Sequence, residues 1–302
     1  MRKTRFLTTA AAVAALMAAA SGLFGLPDVS HAATEPAKPT AAGASAATGA
    51  PAKPTTLKPE ASKAETAPAH GAMETPVPPE QRWSFDGPFG AFDQASAQRG
   101  LHIYTEVCSA CHAMRLLHYR DLTGIGLNEE QIKAFASNFT VPSGLDDAGA
   151  PKEGPATSAS QFRSPFPNEK AARAANNGAY PPDLSLIVNA REHGANYIYA
   201  LLTGYAEPPA GFAMQDGMYY NRMYPGHQIA MPKPLDDGKV SYVDGTPTSV
   251  DQMARDVATF LAWASNPEMV ERKQMGVRAV LFLVLLTILA YGIKRKVWAD
   301  VH

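Results

Sequence analysis

Cysteine is almost missing from this chain: among 302 residues only Cys108 and Cys111 carry a thiol. That excludes a multi-bridge disulfide framework and leaves no further soft ligands for a structural zinc site. Large apolar residues are scarce between 33 and 79, where Ala, Pro, Thr, Lys and Glu dominate. Such a stretch cannot bury enough surface to offset its ordering entropy, so it is expected to be a disordered, partly extended tether to which no function is assigned. An excess of positive charge is missing too. Residues 80–272 hold 15 Lys and Arg against 22 Asp and Glu, a net of −7 that the whole-chain value of −1 conceals. A domain this acidic is a poor partner for nucleic acid and suits a cationic protein, although solubility alone accounts for the charge equally well.

Two apolar runs frame the chain. Residues 1–32 have a basic tip, an Ala/Leu-rich middle and small residues at Ser30 and Ala32 just before Ala33, the pattern of a signal peptide. An amino-terminal membrane anchor is the competing reading, disfavoured because an alanine-rich run is only weakly apolar. Near the other end, "MGVRAVLFLVLLTILAYGI" carries one charge, Arg278, close to its start. About 18 such residues cross the hydrocarbon layer as a helix, and an arginine near the end snorkels to the headgroups. A buried core helix would want one polar face, which is lacking after Arg278. Lys294, Arg295 and Lys296 follow at once and place the carboxyl end in the cytoplasm. The expected organisation is therefore an export signal at 1–32, a tether at 33–79, one exported globular domain at 80–272, and an anchor with a short cytoplasmic tail at 273–302.

The two cysteines stand in "EVCSACHAM", with His112 directly after the second. A thioredoxin-like dithiol would open a helix after a strand, whereas Ala97, Leu101, Tyr104, Cys108 and Cys111 follow one another at steps of four, three, four and three, a helical stripe. Cys-x-x-Cys-His is instead the signature of covalent c-type haem attachment. Two thiols one helical turn apart can each form a thioether to a vinyl group on the same porphyrin edge, and His112 then offers the iron its proximal nitrogen. A Cys108–Cys111 disulfide remains the alternative.

A second protein ligand would close the iron to O₂ and peroxide and dedicate it to electron transfer. Met231 lies in "YPGHQIAMPKPL", between Pro225-Gly226 and Pro232 and Pro234, a stiffened segment able to present one thioether at small entropic cost. A soft sulfur ligand favours ferrous iron and raises the potential. Met114 is too near His112, Met253 falls on a helical stripe, and His102 and His118 lie too close in sequence to arch over the far face. His227 is the runner-up to Met231, and core filling is the ordinary role of any methionine.

Beyond these motifs, "WSFDGPFGAFD", "QRGLHIYTEVCSACHAM", "NEKAARAANNGAYPPDLSLIV", "YALLTGYAEPP", "YNRMYPGHQIAMP", "ARDVATFLAWASNPE" and the closing "MGVRAVLFLVLL" with "KRKVW" occur in that order between about Trp83 and Trp298. In this the chain resembles the cytochrome c1 family, the haem subunit of the bacterial cytochrome bc1 complex, a ubiquinol:cytochrome c oxidoreductase. The resemblance implies one haem c bound through thioethers to Cys108 and Cys111, with His112 and Met231 as iron ligands. It implies that Asn176, Pro181 and Pro182 line the haem, that Arg191 faces a propionate, and that Tyr197 stands at the haem edge. From the residues alone "EKAARAAN" reads as a short helix stopped by Asn177-Gly178, Pro181-Pro182 as extended backbone before a helix opened by Asp183, and Arg191 equally as a surface arginine. Some family members have an extra disulfide, for which this chain has no spare cysteine. Residues 141–162 read as a Gly/Ala/Pro-rich surface loop with no assigned role.

The implied fold is mainly α, a c-type cytochrome haem domain with long irregular loops and one carboxyl-terminal transmembrane helix. The first helix, from about Asp93, and the last of the domain, Val250 to Ala264, are expected to cross, with Gly100 beneath an aromatic such as Phe260. The implied role is one-electron transfer at the periplasmic face of the bacterial inner membrane. A Rieske iron–sulfur subunit would be the donor, a cytochrome c the acceptor, and a cytochrome b subunit the membrane partner, the chain itself neither binding quinol nor acting as an enzyme. The alternatives are a cytochrome subunit of a periplasmic dehydrogenase and a membrane-anchored haem peroxidase.

Overall fold

Asp93 opens the first helix, α1 (Gln94–Glu106), by accepting hydrogen bonds from the amides of Ala95 and Ser96 at 3.0 and 3.3 Å. The computed structural model describes residues 76–145 and 147–300, so the expected signal at 1–32 and nearly all of the tether at 33–79 lie outside the described residues. Helices α2 (Glu129–Ser137), α3 (Glu169–Ala175), α4 (Gly194–Thr203), α5 (Val250–Ser265) and α6 (Met269–Val297) follow, interrupted by two small antiparallel ladders.

The core is built where α1 crosses α5. Ala97, Gly100, Leu101 and Tyr104 form the buried stripe of α1, and Met253, Val257, Phe260, Leu261 and Ala264 that of α5, so the expected crossing and its members are observed. Gly100 permits it: a Cβ there would stand 2.2 Å from the Asp256 carbonyl oxygen and 2.6 Å from Phe260 Cβ. Beside the contact Asp256 is fully buried as a carboxylate, and it is fully partnered. Arg99 donates from Nε and Nη2 at 2.9 and 3.0 Å, Ser96 Oγ at 2.7 Å and Gln252 Nε2 at 3.1 Å. Paired and bonded in this way, a buried charge fixes one register of the crossing. Helix α4 packs on α5, where the Tyr199 hydroxyl donates to Asp251 and the Arg255 guanidinium lies 4.8 Å over the Tyr199 ring.

Two expectations need correction. Residues 141–162 are more than a surface loop: β1 (Thr140–Leu145) pairs with β2 (Pro151–Pro155), and the chain returns to bury Ala156 and Phe162. Phe162 stacks on Tyr119 at 4.6 Å and meets Tyr104 at 6.0 Å, so this insertion completes the core on one side of α1. The helix expected after Asp183 is a run of turns reaching as far as α4. The predicted short helix at "EKAARAAN" is α3, ended by Asn177 and Gly178 in left-handed conformation.

A second ladder, β3 (Tyr219–Tyr220) with β4 (Gln228–Ile229), closes the loop that leads to Met231. Only Asn266, Pro267 and Glu268 separate α5 from α6, and Asn266 is tied to Asn189 by hydrogen bonds of 2.8 and 3.2 Å. Helix α6 begins ahead of its apolar run, runs 29 residues, and is long and apolar enough to cross a membrane, with Lys294, Arg295 and Lys296 in its last turn.

Candidate haem site

After α1 the chain tightens into a 3-10 turn, Cys108–Ala110, in which the Cys108 carbonyl accepts from the amides of Cys111 and His112 at 3.1 and 2.9 Å. The turn brings both thiols and the imidazole onto one short arc. Tyr104, itself buried in the core, donates its hydroxyl to the His112 carbonyl at 3.1 Å and fixes where the arc leaves the helix.

The imidazole of His112 is oriented from outside its own segment. Its Nδ1 lies 2.8 Å from the carbonyl oxygen of Pro182. A carbonyl only accepts, so Nδ1 carries the proton and Nε2 keeps its lone pair for a metal. Burial holds the His112 pKa below its ordinary value, against the opposing pull of the Pro182 carbonyl and Asp183, and so favours the neutral ring that ligation requires. The segment carrying Pro182 is laced to the arc: Leu184 donates to the Ala113 carbonyl at 2.8 Å, Arg115 N to Asp183 Oδ2 at 3.0 Å, and Leu116 N to Ser185 Oγ at 3.1 Å. Asp183 also accepts from Ser185 N at 2.9 Å, and Arg115 reaches the Tyr180 hydroxyl at 3.0 Å. The sequence reading passed over Arg115, Tyr180, Asp183 and Ser185 as positioning residues; the Pro-Pro-Asp-x-Ser spacing carried the signal of an Asx-type turn.

The thiols are free, Cys108 half-buried and Cys111 exposed. Burial, reinforced by Cys111, pushes the Cys108 thiol up to about 12. That is the opposite of the lowered pKa that a reactive dithiol needs. Among the described residues no group of three or more His, Cys, Asp or Glu side chains gathers as a metal site.

Met231 is half-buried at the end of the Pro225–Met231 segment, and its carbonyl accepts from the Tyr205 hydroxyl at 3.0 Å. Asn221, fully buried and unforeseen from sequence, donates from Nδ2 to the Leu201 carbonyl at 2.8 Å and accepts from Met223 N at 2.9 Å, binding this loop to the end of α4. Met114 and Met253 are wholly buried, as core residues should be. His102 meets the Ser241 carbonyl at 3.2 Å and His118 faces Asp121 at 3.6 Å. His227, in left-handed conformation at φ 58°, keeps a buried Nδ1 without a partner among the described residues.

The other expected site residues divide. Pro181 and Cys111 line one cleft with Phe166 and Tyr180. Tyr197 is buried, and burial raises its phenol pKa while the Arg191 charge opposes the rise. Arg191 is exposed and among the described residues donates only to the neighbouring Ala190 carbonyl, at 3.0 Å, leaving most of its fork open there. Asn176 spends its amide on its own helix, donating from Nδ2 to the Ala172 carbonyl at 2.7 Å. Two free thiols, an imidazole with one nitrogen committed, a thioether and an open guanidinium form a donor set that suits a covalently bound haem with carboxylate side groups.

The profile of the Cytochrome C1 family matches residues 83–301. "Cytochrome b/c1" of Bradyrhizobium diazoefficiens is 46% identical over 247 residues, which are 74% of this chain but 36% of that longer relative, so the chain spans about a third of its length. "Cytochrome c1 1, heme protein, mitochondrial" of Arabidopsis thaliana is 47% identical over 221 residues, covering 73% of this chain and 72% of that one. "Cytochrome b-c1 complex catalytic subunit, mitochondrial" of Candida albicans is 46% identical over 239 residues, with 79% and 82% covered. The matched span takes in the thiol arc, the Pro-Pro clamp, the Met231 loop and the apolar helix together, and the chain belongs to the cytochrome c1 family, whose cofactor is a c-type haem.

Proposed function

We propose that this chain is the haem subunit of a membrane-bound cytochrome bc1 complex, accepting single electrons from a Rieske iron–sulfur subunit and delivering them to a cytochrome c. The observation that carries the reading is the Pro182 carbonyl on Nδ1 of His112, which leaves Nε2 as the one nitrogen able to bind iron. Bound haem would supply a one-electron iron couple. Residues 80–272 form the domain that holds it, with Cys108 and Cys111 as thioether donors, His112 as proximal ligand and Met231 as the second. Arg191 would pair with a propionate, and Tyr197, whose phenol burial keeps neutral, would stand at the haem edge. Pro181 and Pro182 form the proximal wall, and Asn176 supports it indirectly by ending α3.

Residues 273–302 are the anchor and tail. The basic end of α6 faces the cytoplasm and the haem domain the periplasm, held beside a cytochrome b subunit; the acidic surface steers a basic acceptor. The chain needs no bond-making chemistry of its own, and quinol oxidation falls to its partners.

The test is the protein purified from its native membrane. Colour that survives denaturation and acetone extraction shows covalent haem. An iron–sulfur(Met) charge-transfer band that Met231→Ala abolishes and His227→Ala preserves, with no carbon monoxide bound to the ferrous wild type, supports closed Met ligation. Wild-type carbon monoxide binding would favour a peroxidase-like open site, and co-elution with a soluble dehydrogenase would displace the quinol-oxidising assignment.

A further inference from the structure

Where α6 leaves the domain, the loop Pro88 to Ala91 leans on one face of the helix and encloses a groove of about 340 Å³ whose helical wall is Val270, Lys273, Gln274, Val277 and Arg278. Those five positions recur at helical spacing, and Leu281, Val284 and Ile288 extend the same stripe, all three exposed. The two cations of the groove differ. Lys273 is spent inside the protein, its ammonium donating to the carbonyls of Phe85 and Gly90. Arg278 has no hydrogen bond or ion pair among the described residues, and it stands in the first turns of the apolar run.

Depth decides what an unpaired guanidinium does there. At 1.5 Å per residue, the ten residues from Arg278 to Ile288 span about 15 Å, half of a hydrocarbon layer about 30 Å thick. Near the end of the run, Arg278 snorkels to headgroup level in the leaflet nearest the haem domain, and the stripe below it has about the length of one acyl chain. Phe89, 83% exposed on the rim, lies at the level where aromatic rings settle between water and lipid. The surrounding domain is acidic, which makes the unpaired cation among the groove's described lining residues a localised attraction for a phosphate rather than part of a general basic surface.

We propose that this groove holds one anionic phospholipid, its phosphate against Arg278 and Gln274 and an acyl chain along Leu281, Val284 and Ile288. The proposal rests on α6 crossing the bilayer and on no assignment of haem ligands. It makes the lipid a wedge between the loop and α6, so its removal should loosen the loop's grip on the helix.

The test uses the full chain in its native complex, haem content serving as the folding control. Reconstituted with phosphatidylglycerol or phosphatidylcholine and stripped with mild detergent, the wild type should keep one phosphatidylglycerol per haem by native mass spectrometry. Arg278→Gln should weaken retention about fivefold, the effect of one headgroup-level cation, and Arg278→Lys should restore most of it. Inorganic phosphate should not displace the lipid. A photo-crosslinker at Phe89 should label lipid. Equal retention of both lipids, an unaffected Arg278→Gln, displacement by free phosphate, or a crosslink landing on a partner subunit or a second copy would each overturn the proposal.

Discussion

The carbonyl oxygen of Asp256 stands 2.2 Å from the point where a Cβ on Gly100 would be, closer than any real Cβ contact. Helices α1 and α5 can therefore cross only with a hydrogen atom between them. Gly100→Ala should cost about 1–3 kcal/mol through overpacking, read as a lowered denaturant midpoint. Gly100→Leu should fail to hold haem, and a Leu variant that attached haem and melted normally would refute the close crossing.

The carboxylate beneath that contact makes a second case. Asp256 is fully buried and Arg99 is its main partner; without Arg99 the acid keeps only Ser96 and Gln252, and without Asp256 the guanidinium keeps only the more exposed Asp244. Asp256→Ala should cost about 3–5 kcal/mol, and Asp256→Ala with Arg99→Met less than the sum of the two singles. A double-mutant cycle by urea titration measures this, and additive losses would mean that the pair is not coupled.

Acid should weaken the start of α5. The Tyr199 hydroxyl, and after it Arg255, holds the Asp251 carboxyl below its usual value of 3.8. A depressed folded pKa gives stability that is complete above the unfolded value and is lost as pH falls through the folded one. The wild type should weaken from about pH 4 downward by a component that Asp251→Asn lacks, as urea midpoints across that range would reveal. The carboxyl is more than half exposed, which keeps the component small.

The two thiols should differ before haem is attached. Cys108 is protonated far above neutrality, with its thiol near 12, and half-buried, whereas Cys111 is exposed. Iodoacetamide at mildly alkaline pH should modify Cys111 first in the folded apoprotein and Cys108 only on unfolding, as followed by peptide mass spectrometry. Equal rates would show that the arc is open without its cofactor.

Local chemistry and helical spacing were legible in the sequence, and long-range placement was not. Cys-x-x-Cys-His, the stripe from Ala97 to Tyr104 and the stripe from Met253 to Ala264 are patterns within one element. The hairpin at 140–155 was hidden because Pro142, Gly144 and Gly154 interrupt any alternation of apolar residues. Asp256 carried no signal in the sequence, since its burial depends on Arg99, 157 positions away. The same holds at the site. Met231 was visible from its flanking prolines, but the Tyr205 hydroxyl on its carbonyl and the bridging Asn221 depend on how loops close, and Asn176 turned out to cap its own helix.

The joint between α5 and α6 at Asn266, Pro267 and Glu268 is short and tied down. Asn189 grips one side of it, and Lys273 ties the first turns of α6 to the Phe85 and Gly90 carbonyls. A tilt of the long helix is therefore passed on to the loop and turn that hold its first residues.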